Sequence, residues 1–280
     1  MNLILNTIVG SILSNLLLVM GSAFVAGGCR FKEQTVLLAV AEANSDMLSF
    51  AVFGLCIPSL FSMAISSDSV KQQSIESMSL VCAICLLIMY VLYLIFSLYT
   101  HSEFYEPPSG ITGSVELGDS VDGETDVDHG RSVASLPLAV TVLSVTIVTV
   151  TIASELLIGA LDGFSKSVGF SESFIAVIFL PVIGNAVEHF SAILVAYRDK
   201  IDLAIGIACG SSVQVALFAA PVIVICSWFI PGPRLTLSFD VFQTAALAFS
   251  VFVVNATLRD TKTNWLEGAV LVMCYIILAA

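Results

Sequence analysis

The sequence predicts an all-α, polytopic membrane protein with about eight transmembrane helices, and three observations lead to that fold class. The chain has 280 residues, of which 58% are hydrophobic and only 11% are charged. Apolar runs recur along the whole chain, and most approach the roughly 20 residues that a helix needs to cross about 30 Å of hydrocarbon. These runs do not alternate every second residue as barrel strands would. Helices are therefore the structure that can pair every backbone group inside lipid.

The predicted spans cover about 3–27, 47–66, 79–99, 135–160, 171–197, 201–230, 240–257 and 264–280. The first is apolar almost from its first residue and has no basic region before it, so it does not look like a cleaved signal peptide. It reads as a spanning helix that starts abruptly, and we expect further helices of the same bundle to precede it.

Residues 101–134 differ in composition from the rest of the chain. They carry eight carboxylates against the single Arg131, with Gly, Ser and a Pro–Pro pair between them. Such a segment predicts a solvated loop, either a simple linker or a segment that attracts cations. The domain prediction follows: a partial first repeat of three helices in 1–100, an acidic cytosolic loop in 101–134 and a second repeat of five helices in 135–280.

Lysine and arginine predict the orientation. If the acidic loop is cytosolic, seven basic residues lie on the cytosolic side and three on the other, which favours this topology. The cytosolic set is Arg30, Lys32, Arg131, Arg198, Lys200, Arg259 and Lys262, and the other is Lys71, Lys166 and Arg234.

Two stretches of the chain resemble each other. Residues 1–18 align with 201–218, so that Gly10 meets Gly210 and Ser11 meets Ser211. The predicted topology gives these two helices opposite directions, which is the pattern of an inverted repeat. Transporters built from inverted repeats hold their substrate between the repeats, near the middle of the membrane.

The most informative polar residues lie in the run LPVIGNAVEHF, 180–190. Asn185, Glu188 and His189 stand at i, i+3 and i+4 and so share one helix face. A carboxylate near the bilayer centre costs about 2.5–3.5 kcal/mol on insertion scales, which makes Glu188 a functional candidate. Pro181 and Gly184 precede it and predict a helix break that frees carbonyl oxygens. Oxygens of this kind are the ligands that calcium prefers, so the expected metal ligand is Glu188, while His189 is expected to orient it or to transfer protons.

Two further spans add oxygen-bearing side chains to this prediction. Ser211, Ser212 and Gln214 lie in the middle of the sixth span, and Ser11, Ser14 and Asn15 in the first. Gly206 and Gly210 have the GxxxG spacing that lets helices approach closely. Two facing polar segments would enclose a small cavity lined with oxygen atoms. The competing interpretation is a kinked helix in which Glu188 and His189 only satisfy each other.

The segment GNAVEHFSAILVAYRDKIDLAIGIACGSSVQ, 184–214, resembles the second signature repeat of the calcium/proton exchangers of the cation/calcium antiporter superfamily, and GSILSNLLLVMG, 10–21, resembles the later half of the family's first repeat. The resemblance covers nearly the whole chain and implies an incomplete inverted-repeat antiporter fold. It implies that Glu188 carries both cation and proton, with the polar neighbours named above lining the site. The family's first repeat has its own acidic motif on an earlier helix, which this sequence does not contain, so we expect the chain alone to transport weakly or not at all.

The resemblance implies a vacuolar, multi-pass antiporter that moves Ca²⁺ from cytosol to lumen against H⁺, with no cofactor and no enzymatic activity. The expected partners are the calcium ion, the proton and the lipid bilayer, with no nucleic acid; a homo-oligomer stays open. Two alternatives stay open as well, an exchanger for Mn²⁺ or Na⁺ and a non-transporting subunit that regulates a full-length exchanger. An intramembrane hydrolase has least support, because the sequence has neither a nucleophile elbow nor an HExxH motif.

Overall fold

The structure is a computed structural model that describes residues 2–64, 68–101, 136–169, 174–259 and 261–280. The chain divides into two units, Met1–Tyr105 with Ser173–Ala280, and Glu106–Glu172. Apart from His101, the acidic segment 101–134 lies outside the described residues, so its interpretation as a cytosolic loop stays a prediction.

The described helices are α1 (2–30, built from Asn2–Leu13, Ser14–Val19 and Met20–Arg30), α2 (Leu38–Ala64), α3 (Asp68–Ile95, continued by Phe96–Thr100), α4 (Leu136–Val168), α5 (175–184, built from Ile175–Phe179 and Leu180–Gly184), α6 (Ala186–Tyr197), α7 (201–227, built from Ile201–Gln214, Val215–Ala219 and Ala220–Ser227), α8 (Val241–Thr257) and α9 (Trp265–Ala279). Two short strands, β1 (Gln34–Thr35) and β2 (Lys262–Thr263), pair antiparallel.

The described helices match the predicted class of a multi-pass membrane protein. Five of them are long and apolar enough to cross a membrane, the bent pair α5 and α6 makes a sixth span, and α8 and α9 are apolar but shorter. The predicted starts at 47 and 79 are wrong, because α2 begins at Leu38 and α3 at Asp68. Backbone hydrogen bonds continue through the polar residues before each apolar run, and the apolar run therefore marks only part of each helix.

Helix α1 lies at the centre of its unit, with 67% of its apolar window buried. Its glycines permit close approach to two neighbours. A Cβ added to Gly10 would overlap the Val177 carbonyl oxygen and lie 2.6 Å from Pro181 Cγ of α5, and one added to Gly21 would lie 2.9 Å from the Gly268 carbonyl oxygen of α9. The predicted role of Gly206 and Gly210 in close packing is wrong for the part of the chain that the structure describes, since a Cβ at either would meet nothing there within 4 Å.

Helices α1 and α7 run in opposite directions. They meet halfway along, where Asn15 bonds Ser211, and the end of α1 lies near the start of α7, since Arg30 bonds the Tyr197 carbonyl and Leu37 bonds Asp202. Each contains a π-helical segment, Ser14–Val19 in α1 and Val215–Ala219 in α7. These segments coincide when 1–18 is aligned with 201–218, which supports the interpretation of the two helices as repeat copies.

The described basic side chains lie at the two ends of the helices, as the predicted orientation requires. Arg30 and Lys262 lie at the end of the unit where α1 and α6 finish, and the ribbon of β1 and β2 joins their segments there. Arg234 follows α7, which runs away from that end, and it pairs with Glu76 at 3.3 Å. The predicted contributions of Arg131, Lys71 and Lys166 lie outside the side chains that the structure describes.

The loop after α7 is held by serine hydroxyls. Ser59 accepts a hydrogen bond from Phe239 N at 2.9 Å and donates to Leu237 O at 3.2 Å, while Ser79 accepts from Leu237 N at 3.0 Å. Asp240 then begins α8 by accepting from Gln243 N at 2.7 Å. Because these side chains satisfy backbone groups that no helix pairs, an irregular segment can be buried against α2 and α3.

Candidate ion-binding site

The bend between α5 and α6 positions the candidate site. The two helices meet at an angle of 55°, and Asn185 stands between them with φ −95° and ψ 17°. Gly184 comes directly before it and Pro181, which has no backbone N–H to donate, four residues before it. The break makes Asn185 the N-cap residue of α6 and turns the first residues of α6 into a helix N-terminus in the middle of the span.

Polar side chains of α1, α6 and α7 meet at this bend. Asn185 Nδ2 donates to Ser11 Oγ at 3.3 Å and to Ser11 O at 3.4 Å, while Ser11 Oγ also lies 3.4 Å from Asn185 Oδ1. One turn further along α1, Asn15 Nδ2 donates to Ser211 Oγ at 2.8 Å. We call Ser11, Asn15, Asn185 and Ser211 the polar cluster. It joins the two aligned helices to the start of α6.

The polar cluster keeps unused hydrogen-bonding capacity. Asn15 is fully buried, and its Oδ1 has no hydrogen-bond partner among the described residues. The contacts between Ser11 and Asn185 are at the long end of the hydrogen-bond range and are correspondingly weak. A buried carbonyl oxygen without a partner is costly in apolar surroundings, and an ion or water that it could bind would remove that cost.

Glu188 lies in the first turn of α6, three residues after Asn185. Its side chain is half-buried, and the described part of the chain gives it no hydrogen bond or ion pair. The N-terminal turn of a helix favours a negative charge. Glu188 thus lies one helical turn after Asn185 of the polar cluster, and no described side chain pairs with its carboxylate.

His189 does not bond Glu188, so its predicted role in orienting that carboxylate is wrong. Its Nδ1 lies 3.1 Å from the Asn185 backbone oxygen, which also accepts the His189 backbone N–H at 2.9 Å. A carbonyl oxygen only accepts, so this contact needs the proton on Nδ1 and leaves Nε2 as an acceptor. Nε2 is buried without a partner in the described residues. The alternative in which Glu188 and His189 simply satisfy each other does not match this geometry.

Three predicted site residues lie apart from the polar cluster. Ser212 is buried and donates to the Ala208 carbonyl of its own helix at 2.9 Å, and Gln214 is exposed. Ser212 points about 100° away from Ser211 around α7, whereas Gln214, three residues on, shares the Ser211 face but is exposed and makes no hydrogen bond to the polar cluster. Ser14 is buried, and the neighbour of its hydroxyl is Tyr275 of α9, although neither oxygen has a hydrogen bond of good geometry.

One buried pair of polar side chains was not predicted from the sequence. Gln243 Nε2 in the first turn of α8 donates to Asn6 Oδ1 on α1 at 2.7 Å, and both side chains are largely buried. It joins α1 to α8 on a different side of α1 from Ser11, since five residues correspond to about 140° around a helix. A glutamine inside the apolar run VFQTAAL was the available signal, but which helix it would meet could not be read from the sequence.

The arrangement suits a hard cation better than a soft one. It offers one carboxylate, amide and hydroxyl oxygens, and a helix break with backbone carbonyls. Within the part of the chain that the structure describes, no three His, Cys, Asp or Glu side chains come together. Calcium prefers oxygen ligands of this type and takes six to eight of them, and the side-chain oxygens of the polar cluster and Glu188 together reach only the lower end of that range.

Known proteins that are similar to this chain include ion exchangers. Residues 1–99 and 138–280 match the family described as sodium/calcium exchanger protein. A Ca²⁺/H⁺ antiporter of Aphanothece halophytica is 40% identical over 275 residues, which are 97% of this chain and 72% of that protein. The vacuolar cation/proton exchanger 3 of Oryza sativa subsp. japonica is 38% identical over 277 residues, 98% of this chain and 64% of that protein.

A solved structure shows the same fold. The crystal structure of the selenium-substituted Ca²⁺/H⁺ antiporter protein YfkE superposes with a TM-score of 0.75 at 31% sequence identity, and the match covers 99% of this chain and 75% of that one. This chain therefore spans roughly two thirds to three quarters of the length of these relatives. It has the cation/calcium antiporter fold of a multi-pass membrane protein, and it belongs to the sodium/calcium exchanger protein family.

Proposed function

We propose that this chain carries the ion site of a calcium/proton antiporter, which moves Ca²⁺ from the cytosol into the vacuolar lumen in exchange for H⁺. The relatives named as Ca²⁺/H⁺ antiporters and vacuolar exchangers support the choice of ions and of membrane. No cofactor is needed for this exchange, in which calcium and protons are the transported ions.

One observation carries the proposal. Glu188 lies half-buried in the first turn of a helix that starts in the middle of a bent span, without a hydrogen bond or ion pair in the described residues. Beside it, the polar cluster contains Asn15 Oδ1, a fully buried oxygen that also has no partner there. Unpaired acidic residues inside a membrane protein mark ion and proton pathways, because their cost would otherwise be selected against.

Exchange follows from the electrostatics of such a carboxylate. A carboxylate without a bound cation can carry a proton, which neutralises it. A divalent cation in contact favours the charged form and expels that proton. Calcium and protons thus compete for one group. Alternate opening of the site to the two sides of the membrane converts this competition into exchange.

The residues of this site have separate roles in the proposal. Glu188 binds the cation or the proton, and the oxygens of Asn15, Asn185 and Ser211 replace part of the hydration shell that the cation loses. His189 Nε2, buried with no partner in the described residues, is placed to accept a proton near Glu188.

The proposed experiment reconstitutes the chain in liposomes and measures Ca²⁺ uptake driven by an imposed proton gradient, together with equilibrium binding of radioactive calcium. Glu188→Gln should abolish the binding and the weak uptake, if any, that the chain alone shows. Glu42→Gln is the matched control, because it removes an exposed carboxylate on α2 that contacts none of the polar cluster. It should leave both unchanged.

The same experiment separates the alternatives. Competition by Mn²⁺ or Na⁺ that exceeds competition by unlabelled Ca²⁺ would assign the site to another cation. Calcium binding that is absent from the starting protein, or that survives in Glu188→Gln, would contradict the proposal, whereas robust uptake by this chain alone would contradict the expectation that it transports weakly. Co-purification with a longer homologue and no intrinsic ion binding would favour the regulatory subunit.

A further inference from the structure

A buried glutamine joins the end of the Glu188 helix to the end of α1. Gln34 is only 3% exposed, and its Nε2 donates two hydrogen bonds, to the Ala196 backbone oxygen at 3.0 Å and to Asp199 Oδ1 at 2.9 Å. Ala196 belongs to the last turn of α6, and Asp199 lies in the turn between α6 and α7. One side-chain amide therefore holds both the helix and the turn that ends it.

The other side of Gln34 fits against α1. A Cβ at Gly27 would overlap Gln34 Oε1, and it would also lie 3.3 Å from the Ala196 backbone oxygen. Gly27 thus leaves the space that the glutamine fills between α1 and α6. A larger residue at 27 or a smaller one at 34 would change the separation of the two helix ends.

The segment that carries Gln34 is fixed on two sides. We call residues 30–37 the strap. Arg30 Nη1 donates to the Tyr197 backbone oxygen at 3.1 Å, and Leu37 N donates to Asp202 Oδ1 at 2.7 Å. On the opposite edge, β1 pairs with β2, and Val36 N donates to the Thr261 backbone oxygen at 2.8 Å. The strap therefore fixes the backbone of Gln34, so that its side chain can hold α6 in place.

The turn after α6 is shaped for this contact. Asp199 has φ 62°, in the left-handed region that only a few non-glycine residues adopt. Its backbone N–H donates to the same Ala196 oxygen that Gln34 bonds, at 3.1 Å. The strained residue brings its carboxylate back towards the strap, and the hydrogen bond to Gln34 offsets part of that strain.

The geometry reaches the ion site through α6 itself. This helix has 12 residues and is about 18 Å long at 1.5 Å per residue. It is short and carries Asn185 and Glu188 at one end and Ala196 at the other. A displacement of the Ala196 end against α1 is therefore transmitted to Glu188, which must meet the oxygens of Asn15 and Ser11 on that same α1.

We propose that Gln34 is a positioning residue, which sets where the Glu188 helix lies on α1 by holding Ala196 and Asp199. The position of α6 in turn tunes calcium affinity, an effect that rests on the function proposed above. The holding of α6 by Gln34 does not rest on that function, and a separate measurement tests each effect.

The first measurement is hydrogen–deuterium exchange of the reconstituted chain, which needs no transport. Gln34→Ala should raise the amide exchange rate of peptides from 186–202 by about tenfold, since a local opening that is easier by about 1.4 kcal/mol gives that factor. Glu33→Gln is the matched control on the same strap. It removes only the exposed ion pair with Lys262, so exchange in 186–202 should stay unchanged.

A charge swap tests the named hydrogen bond rather than packing. Gln34→Glu places a carboxylate against Asp199, and exchange in 186–202 should rise further than in Gln34→Ala. Adding Asp199→Asn restores the hydrogen bond in the reverse direction, with the amide at 199 donating to the carboxylate at 34. The double variant should therefore recover most of the original amide exchange rate. A packing role alone would not be rescued by a change at Asp199. The swap also keeps the test valid if Gln34→Ala folds poorly.

The second measurement is calcium binding by the same variants. Gln34→Ala should weaken calcium binding by about tenfold, with the swap restoring it. Unchanged exchange in 186–202 for Gln34→Ala and Gln34→Glu, or an equal rise in Glu33→Gln, would overturn the proposal. Faster exchange with unchanged calcium affinity would confine Gln34 to holding α6 and would overturn its link to the ion site. Loss of binding in Glu188→Gln is a separate result, which reports on the proposed function.

Discussion

The polar cluster and the strap use similar side chains in opposite ways. At the strap, the Gln34 amide donates hydrogen bonds to the Ala196 backbone oxygen and to the Asp199 carboxylate. Leu37 N donates to the Asp202 carboxylate. In the polar cluster, the fully buried Asn15 leaves its Oδ1 without a partner in the described residues, and nearby Glu188 makes no hydrogen bond or ion pair there.

The difference separates holding from binding. A polar group that holds two helices together stabilises them most when each of its donors and acceptors is paired. A group that must receive a passing ion needs free lone pairs, and the protein bears the cost of leaving them open. If this distinction is right, substitutions in the polar cluster change ion binding more than stability, and substitutions at close packing contacts do the reverse.

Among substitutions in the polar cluster, Asn185→Ala should have the largest functional effect. The Asn185 side chain makes no capping bond to α6 and only long contacts with Ser11, so the loss of stability should be small. Loss of an oxygen next to a bound divalent cation removes about 2 kcal/mol, which is about 30-fold in calcium affinity. Calcium titration and thermal unfolding of the same sample check both parts. A large drop in melting temperature with unchanged affinity would reverse the assignment of the cluster.

Gly10→Ala should have a large effect on stability instead. The added Cβ would overlap the Val177 carbonyl oxygen and push α1 away from α5, and overpacking of this kind costs about 1–3 kcal/mol. Gly206→Ala is the control, because a Cβ there meets no described atom within 4 Å and alanine is the better helix former. Thermal unfolding should show a lower melting temperature for the first variant and an equal or higher one for the second.

Ser211→Ala and Ser212→Ala form a matched pair with intermediate effects. Removing the Ser211 hydroxyl leaves buried Asn15 Nδ2 without its 2.8 Å partner, at a cost of about 1–3 kcal/mol, and takes an oxygen from the site. Ser212 bonds only the Ala208 carbonyl of its own helix, which retains its helical hydrogen bond, so its loss should matter little. Equal effects of the two variants on calcium affinity would remove Ser211 from the site.

The smallest effect is expected for the ion pair on the strap. The Lys262 ammonium lowers the pKa of Glu33 by a hydrogen bond and by its charge, and Glu33 in turn raises the pKa of Lys262. The stability that Glu33 contributes is therefore present above its ordinary pKa of 4.5 and is lost as the pH falls through its lowered pKa. The stability that Lys262 contributes is present below its ordinary pKa of 10.5 and is lost as the pH rises through its raised pKa.

Both groups of that pair are exposed, so solvent and salt screen the interaction. Glu33→Gln should change the melting temperature only slightly at low salt and not measurably at high salt. The difference from the starting protein should disappear in acid. A marked destabilisation that persists in high salt would show that the strap depends on this pair more than on Gln34.

The sequence was sufficient for the parts of this account that depend on composition and local spacing. Apolar runs predicted the spans, and Pro181 and Gly184 lie just before the bend that the structure has at Asn185. The opposite directions of α1 and α7 followed from the count of spans between them. The contact of Asn15 with Ser211 was anticipated only as two facing polar segments.

What the sequence could not supply are contacts that depend on how a helix is rotated about its axis. Ser212 and Gln214 have the same local setting as Ser211 in the sequence, and only packing shows that Ser211 faces α1. His189 pairs with a backbone oxygen that no residue type reveals. Gln34 lies outside every predicted span, so nothing in its neighbours indicated that it is buried between two helix ends.

The central claim is that Glu188 binds calcium in competition with protons. The most direct measurement is the calcium affinity of the reconstituted chain as a function of pH, for the starting protein and for Glu188→Gln. We predict that the affinity of the starting protein weakens as the pH falls, and that Glu188→Gln loses both the affinity and its dependence on pH. The same affinity and the same pH dependence in both proteins would contradict the account.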